Sequence, residues 1–271
     1  MEAFQLTLGR TADVVLPLSF RSPVVANGQT VFMSPAARCN GCHNNASAHN
    51  AAGINRNFNT GVEDQVDRPI KLLVDASGLD LTPGNPANKF PRDGGFGVAV
   101  NPAGGFGDGT FNTPPLIEAA DTGPFFHDNQ IRTIEGAVAF YNGTAFAASP
   151  SGAGGAIDLQ PTQVEGVAAF LRVLNALENV RASRDLLVTT RDLTQARRDR
   201  AGPHLVGQAR KEMRDAVQVL TGADLHPEAA EFLRSALQII PDRPLMDGEL
   251  TPALMTAMIG MLDLAKANMV N

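Results

Sequence analysis

The two cysteines of the chain stand three residues apart and are followed at once by a histidine, in the sequence C-N-G-C-H from Cys39 to His43. No other cysteine occurs among the 271 residues, so a framework of disulfide bonds is excluded. A bridge between Cys39 and Cys42 would close too short a loop to stabilise a fold. The spacing therefore predicts that the two thiols serve chemistry.

Three kinds of site use a C-x-x-C pair. A structural zinc site takes four ligands, commonly from two such pairs, but this chain has one pair and no H-x3-5-H spacing among its other histidines. A thioredoxin-like redox motif follows a strand at a helix N-terminus, which the surrounding residues do not predict. Covalent haem c accounts for all three residues, because each thiol adds to one vinyl group and His43 binds the iron. A surface dithiol without a cofactor is the plain alternative.

Aromatic content changes near residue 181. Residues 1–180 contain 13 of the 14 phenylalanines and the only tyrosine, whereas Phe232 is the only aromatic residue in 181–271. Between Leu81 and Pro115 the sequence is dense in Gly, Pro, Asn and Asp, and loops of this length occur where they wrap a ligand or are functional. We predict a mainly α chain, with a loop-rich domain over 1–180 and an all-helical extension over 181–271.

Apolar residues recur at helical spacing in five segments. Two lie in the first domain, at 132–141 with Thr133 as the N-cap, and at 162–180. The apolar faces of the extension are formed by Leu205, Ala209, Met213, Ala216 and Leu220, by Ala229, Phe232, Leu233, Ala236 and Ile240, and by Leu254, Met258, Met261, Leu262, Ala265 and Met269. We predict that these helices form a bundle or hairpin pair that packs on the first domain or docks a protein partner.

Charge and hydropathy exclude two classes of partner. The net charge of −6 provides no basic stripe for nucleic acid, so none is expected. No apolar run is long enough to cross a bilayer, so no transmembrane segment is expected.

An iron held by His43 needs a second axial ligand or keeps an open position. The methionine that usually serves is missing, because no methionine occurs between residues 34 and 212. The remaining candidates in the first domain are His49, His127 and Tyr141.

Residues 111–143 read FNTPPLIEAADTGPFFHDNQIRTIEGAVAFYNG. This segment resembles the signature of bacterial di-haem cytochrome c peroxidases and MauG-like enzymes: a threonine-proline-x-leucine segment, a T-x-P-aromatic-x-H loop and a helix opening with T-[LI]-E. The preceding GQTVF…CNGCH and the following VEGVAAFLRVL resemble the second haem domain of the same family. The resemblance covers about residues 1–180 and implies a cytochrome c-like haem domain.

The resemblance implies a role for Tyr141. In this family the sixth ligand lies on the helix after the histidine loop, and it is methionine in the peroxidases and tyrosine in the MauG-like branch. Tyr141 occupies the matching position. A phenolate is a hard anionic donor, so it favours ferric iron and lowers the reduction potential. The alternative is that Tyr141 binds no metal and is a half-buried ring whose hydroxyl reaches the surface, which is common for tyrosine.

The resemblance also implies roles for three loop residues. His127 matches the loop histidine near the haem pocket, which implies a catalytic residue; a loop histidine bonded to the backbone is the alternative. Thr122 and Pro124 match positions whose carbonyl groups join an interdomain calcium site, and carbonyl oxygens suit calcium. The asparagine that completes that site in the family comes from the other domain.

The family carries two haem domains, whereas this sequence has one C-x-x-C-H. EAFQLTLGRT resembles the end of the family's first domain, so we expect the chain to begin within a longer architecture. One hypothesis is the His/Tyr-ligated electron-relay half of a MauG-like or di-haem peroxidase-like oxidoreductase, whose other haem is supplied by a missing domain or partner. The other is a mono-haem electron-transfer subunit of a multi-cytochrome assembly, without peroxidase activity.

Haem attachment to C-x-x-C-H normally takes place outside the cytoplasm. We therefore expect a periplasmic or extracellular protein, although MEAFQLTLGR shows no signal peptide. The expected partner is a redox cytochrome or a second haem domain.

Overall fold

A computed structural model describes residues 14–48, 52, 54–64, 95, 109–196, 201–240, 249 and 251–271. These residues are mainly helical, which confirms the mainly α class predicted from the sequence. Within them, no helix combines the length and the apolar character that a membrane span requires.

The α-helices of the described residues are α1 (Pro23–Met33), α2 (Cys39–Cys42), α3 (Ile134–Phe140), α4 (Thr144–Ala147), α5 (Pro161–Gln195), α6 (Gly202–Gly222), α7 (Pro227–Ile239) and α8 (Pro252–Met269). Two short strands, β1 (Asn57–Phe58) and β2 (Phe111–Asn112), pair in antiparallel register. The chain divides into two compact units.

The first unit comprises Met1–Leu16, Thr30–Leu116 and Thr122–Val167. Its described part holds the short helices α2, α3 and α4 together with both strands. Asn112 stands opposite Asn57 in the β1–β2 pair, and its side-chain amide bonds to the amide of Asn55.

The glycine-rich segment that the sequence predicts to be a long loop lies mostly outside the described residues. Between Leu81 and Pro115, the described part consists of Gly95 and residues 109–115.

The second unit comprises Pro17–Gln29, Ile117–Asp121 and Ala168–Asn271. Helix α7 packs against both α6 and α8. The end of the chain returns to the segment before α1, since Asn271 N donates to Ser19 O and Phe20 forms a β-bridge with Val270.

The predicted apolar faces of the extension largely form the core of this unit. The buried residues from those faces are Ala209, Met213, Ala216, Leu220, Ala229, Leu233, Ala236, Ile240, Met258, Leu262, Ala265 and Met269. Leu205, Phe232, Leu254 and Met261 are only partly buried. Each of these four lies at the margin of its face, next to a residue that is buried instead, such as Val206 beside Leu205.

The units do not coincide with the predicted limits of 1–180 and 181–271. Helix α5 continues without a break from Pro161 to Gln195, through the composition change near residue 181. Val180 and Leu187 are both buried on that helix. The division falls earlier on α5, between Val167 and Ala168. The fall in aromatic content near residue 181 means that aliphatic side chains replace aromatic ones in the core. It does not mark the end of a helix.

Two leucines of the second unit provide a matched test of its core. Leu233 on α7 has no exposed surface, whereas Leu264 on α8 is 49% exposed. We expect Leu233→Ala to lower the free energy of unfolding by about 2–5 kcal/mol, because it removes buried methyl groups and leaves a cavity. Leu264→Ala should change the free energy by less than about 0.5 kcal/mol. Chemical denaturation measures both, and equal losses would contradict this core.

Candidate functional site

The two thiols and the imidazole of CNGCH lie on a single helical turn. The amide of His43 donates to Cys39 O over 2.9 Å and closes α2. Side chains three and four residues apart share one face of a helix, so Cys39, Cys42 and His43 point to the same side. The thiols are not joined in a disulfide, and both keep some exposed surface.

The imidazole of His43 is oriented by the backbone of a distant segment. Its Nδ1 lies 3.0 Å from the carbonyl oxygen of Pro114. Because a carbonyl only accepts, Nδ1 carries the proton in this contact, and the neutral ring then has its lone pair on Nε2. Such a histidine is prepared to bind a metal through Nε2.

Desolvation by the surrounding protein lowers the pKa of His43 from 6.5 to about 4. Backbone hydrogen bonds with Pro114 and Ser47 act in the opposite direction and only partly offset this effect. The imidazole is therefore neutral at neutral pH, the state in which it is a ligand.

A sharp turn holds the Pro114 segment beside His43. His43 O accepts from the amide of Ala46, and Ala46 O accepts from the amide of Leu116 over 2.7 Å. Asn45 makes the turn with φ 54°, a left-handed conformation that asparagine tolerates better than most residues. The turn thus connects two segments that are far apart in the sequence.

Tyr141 stands at the C-terminal end of α3. Thr133 precedes the first residue of α3, and its Oγ1 accepts from the amide of Gly136 over 3.1 Å. This hydrogen bond confirms the predicted N-cap. Phe140, the last residue of α3, is buried. The Tyr141 ring meets Phe140 and Phe146 edge to face, with ring centroids 5.1 and 5.0 Å apart.

Tyr141 lies within electrostatic reach of both cysteines, although it follows His43 by 98 residues. Burial raises the pKa of the Tyr141 phenol above its ordinary value of 10, and negative charge on Cys39 and Cys42 would raise it further. The tertiary structure thus links the single tyrosine to Arg38, the residue before Cys39, through the Phe146 ring.

The thiols share this dry environment. Burial raises the pKa of Cys39 from 9 to about 11, partly offset by its own backbone hydrogen bond. Burial also raises the pKa of Cys42, although the Arg38 guanidinium acts against the increase. Both cysteines are thus thiols at neutral pH.

His43 and Tyr141 each keep some accessible surface, yet desolvation is the main cause of both pKa shifts. This combination is expected of groups that line a recess, with protein around them and an opening on one side. Two unbridged thiols, a neutral imidazole and a phenol form a donor set that fits a covalently attached haem.

His127 lies in a loop whose Phe126 ring packs against Phe140, with ring centroids 4.8 Å apart. It is exposed, and its ring stacks on Phe111 of β2 with a centroid distance of 3.8 Å. The loop that carries it is closed by the hydrogen bond from Phe125 N to Ile131 O. A catalytic role for His127 stays a prediction.

The other predicted ligands lie at exposed or undescribed positions. Thr122 and Pro124 are exposed, and a calcium site at their carbonyl groups stays a prediction. His49 lies outside the described residues. Across the part of the chain that the structure describes, no cluster of three or more His, Cys, Asp or Glu side chains could hold a metal ion.

Sequence reasoning missed three residues of the site: Arg38, Pro114 and Phe146. Pro114 lies in the quoted FNTPP stretch, but nothing in that stretch identifies its carbonyl as the partner of His43. Arg38 immediately precedes Cys39, yet its left-handed backbone, with φ 61°, has no sequence signal. These contacts depend on segments that only the fold brings together.

Alkylation of the thiols in the haem-free chain tests this environment. At pH 8 we expect Cys39 in Cys42→Ala to react at least about 10-fold more slowly than a thiol of ordinary pKa, since burial raises its pKa and the thiolate fraction falls tenfold per pKa unit. The rate of iodoacetamide labelling should rise with pH towards a midpoint well above 9. Urea-unfolded protein is the control, and a midpoint for the folded chain at or below 9 would contradict the burial described above.

Comparison of the chain with models of protein families, with curated proteins and with solved structures finds no match.

Proposed function

We propose that this chain is a c-type haem protein that carries electrons. Cys39 and Cys42 would hold one haem covalently, and His43 and Tyr141 would supply ligands to its iron. The first unit would then be a cytochrome c-like domain that resembles the electron-relay half of a MauG-like or di-haem peroxidase-like oxidoreductase.

The observation that carries the proposal is that Tyr141 lies within electrostatic reach of both cysteines of the CNGCH turn. Two thiols on one helical face, a neutral imidazole held through Nδ1 and a phenol within electrostatic reach of both thiols form one largely desolvated site that keeps some exposed surface. A surface dithiol without a cofactor would require neither the neutral imidazole nor the phenol.

Attachment needs no oxidant or reductant. Each thiol adds across one vinyl group, so a sulfur–carbon bond forms, the sulfur–hydrogen bond breaks, and the hydrogen goes to the other vinyl carbon. Cys39 and Cys42 are protonated at neutral pH, and they therefore carry the hydrogen that this addition consumes. Their spacing on one helical turn would let both thiols add to the same haem.

Bound haem supplies an iron that cycles between ferrous and ferric states. Tyr141 must lose its proton to bind, because a metal ligand is deprotonated. Burial of Tyr141 raises its pKa and disfavours the phenolate, which would therefore need a compensating positive charge such as that of ferric iron. If both His43 and Tyr141 held the iron, peroxide would have no ligand position there, which would favour electron relay over catalysis at this site.

A second candidate is a mono-haem electron-transfer subunit that docks other cytochromes through its helical unit. The observation in its favour is that the sequence contains a single C-x-x-C-H. Counting haems in the native protein separates the two candidates: one haem favours the subunit, and two favour the relay half of a di-haem enzyme.

Production in a host competent for cytochrome c maturation tests the attachment. We expect mass spectrometry to find one covalent haem per chain, and Cys39→Ala or Cys42→Ala to leave one thioether. The pyridine haemochrome band of either variant should shift, because one vinyl group stays unsaturated. A colourless chain of unchanged mass would refute haem attachment.

Ligation by Tyr141 is tested by the ferric absorption and EPR spectra of Tyr141→Phe. We expect the phenolate-to-iron band to disappear and the reduction potential to rise, since a hard anionic ligand is lost. His204→Gln, at an exposed position on α6, is the control and should keep the wild-type spectrum. Identical spectra for Tyr141→Phe and the wild type would exclude the phenolate.

A further inference from the structure

Arg38 directly precedes the CNGCH turn and has an unusual backbone conformation. Its φ of 61° and ψ of 0° place it in the left-handed region, which costs free energy for a residue with a side chain. Gly41 N donates to Arg38 O over 3.1 Å, so this conformation starts α2. A strained residue persists only where its surroundings hold it in place.

The guanidinium of Arg38 supplies that restraint. Its Nη2 donates to Ser151 O over 2.7 Å, and its Nη1 donates to Gly155 O over 2.9 Å. A Cβ atom on Gly154 would lie 2.9 Å from Nη2, so the guanidinium sits closely against a residue that lacks a side chain. Arg38 thereby ties the start of α2 to the 151–155 turn.

The same guanidinium also contacts the aromatic cluster around Tyr141. Its central carbon lies 5.7 Å from the centroid of the Phe146 ring, within the range of a cation–π contact. Phe146 is buried, and its ring meets that of Tyr141 edge to face. One ring therefore separates Arg38 from Tyr141.

We infer that Arg38 is a positioning residue, which seats Phe146 and thereby holds the Tyr141 ring against the cysteine turn. The inference rests on the proposed function, in which Tyr141 and CNGCH form two sides of one haem site. Arg38 would bind neither the haem nor the iron. It would determine whether the phenol is placed to reach the iron.

Lysine cannot fully replace arginine in this arrangement. Two planar N–H donors reach two separate carbonyl groups while the face of the guanidinium lies near Phe146. An ammonium keeps the charge but lacks the planar fork and the flat face. Arg38→Lys should therefore have an intermediate effect, between those of the wild type and Arg38→Gln.

The chain offers a direct probe of this role. Tyr141 is its only tyrosine and it has no tryptophan, so the tyrosine emission of the haem-free chain comes from Tyr141 alone. We expect Arg38→Gln and Gly154→Ala to increase acrylamide quenching of that emission at pH 7. Gly154→Ala is informative because it displaces the guanidinium while Arg38 itself is kept.

Two control variants separate positioning from general destabilisation. Arg184→Gln removes a half-exposed arginine and its ion pair with Asp263, and Gly207→Ala adds a Cβ in open space. Acrylamide should quench the Tyr141 emission of both variants to the same extent as in the wild type. Wild-type quenching in Arg38→Gln and Gly154→Ala, or an equal increase in the controls, would overturn the inference. If Arg38→Gln fails to fold by circular dichroism, Gly154→Ala gives the result.

The haem-loaded chain provides the second measurement. Loss of the phenolate-to-iron band in Arg38→Gln and Gly154→Ala, with retention in Arg184→Gln, would support the positioning role. A band unchanged in all variants would contradict it. A wild-type chain without haem, or without that band, would instead count against the proposed function, and the emission of the haem-free chain would still decide the role of Arg38.

Discussion

The single helical turn from Cys39 to Cys42 is the constraint on which the described site depends. It places both thiols and His43 on one face, and the hydrogen bond from His43 Nδ1 to Pro114 O fixes the ring relative to a segment 71 residues away. That segment is itself held by the bond from Leu116 N to Ala46 O. The turn, the His43 imidazole and the following loop are therefore one structural arrangement.

Desolvation then gives this arrangement its chemical character. It keeps both thiols protonated, the imidazole neutral and the phenol protonated, so the site carries little charge of its own at neutral pH. A dry and nearly neutral set of donors suits a large apolar cofactor that brings a metal charge with it. The Arg38 guanidinium is the cation described nearest the turn, and it is bound to the Ser151 and Gly155 carbonyl oxygens.

The helical unit has its own core and does not depend on this chemistry. Its predicted apolar faces are mostly buried. They could be predicted because the 3.6-residue period of a helix can be read directly from the sequence. Its limits were harder to predict. Helix α5 continues past the change in aromatic content near residue 181, since Leu187 and Ser183 are buried on the same helix as Leu174. Composition reports which residues fill a core, whereas unit limits depend on which segments pack together.

The sequence by itself determined what local spacing controls: the shared face of Cys39, Cys42 and His43, the Thr133 N-cap and the amphipathic faces of α6, α7 and α8. The tertiary structure alone decided that Tyr141 lies within electrostatic reach of the cysteines, that Pro114 orients His43 and that Arg38 contacts Phe146. Helical geometry relates residues three or four apart by a fixed period. Contacts across 70 residues or more have no such period, and they follow only from how the whole unit excludes water from its interior.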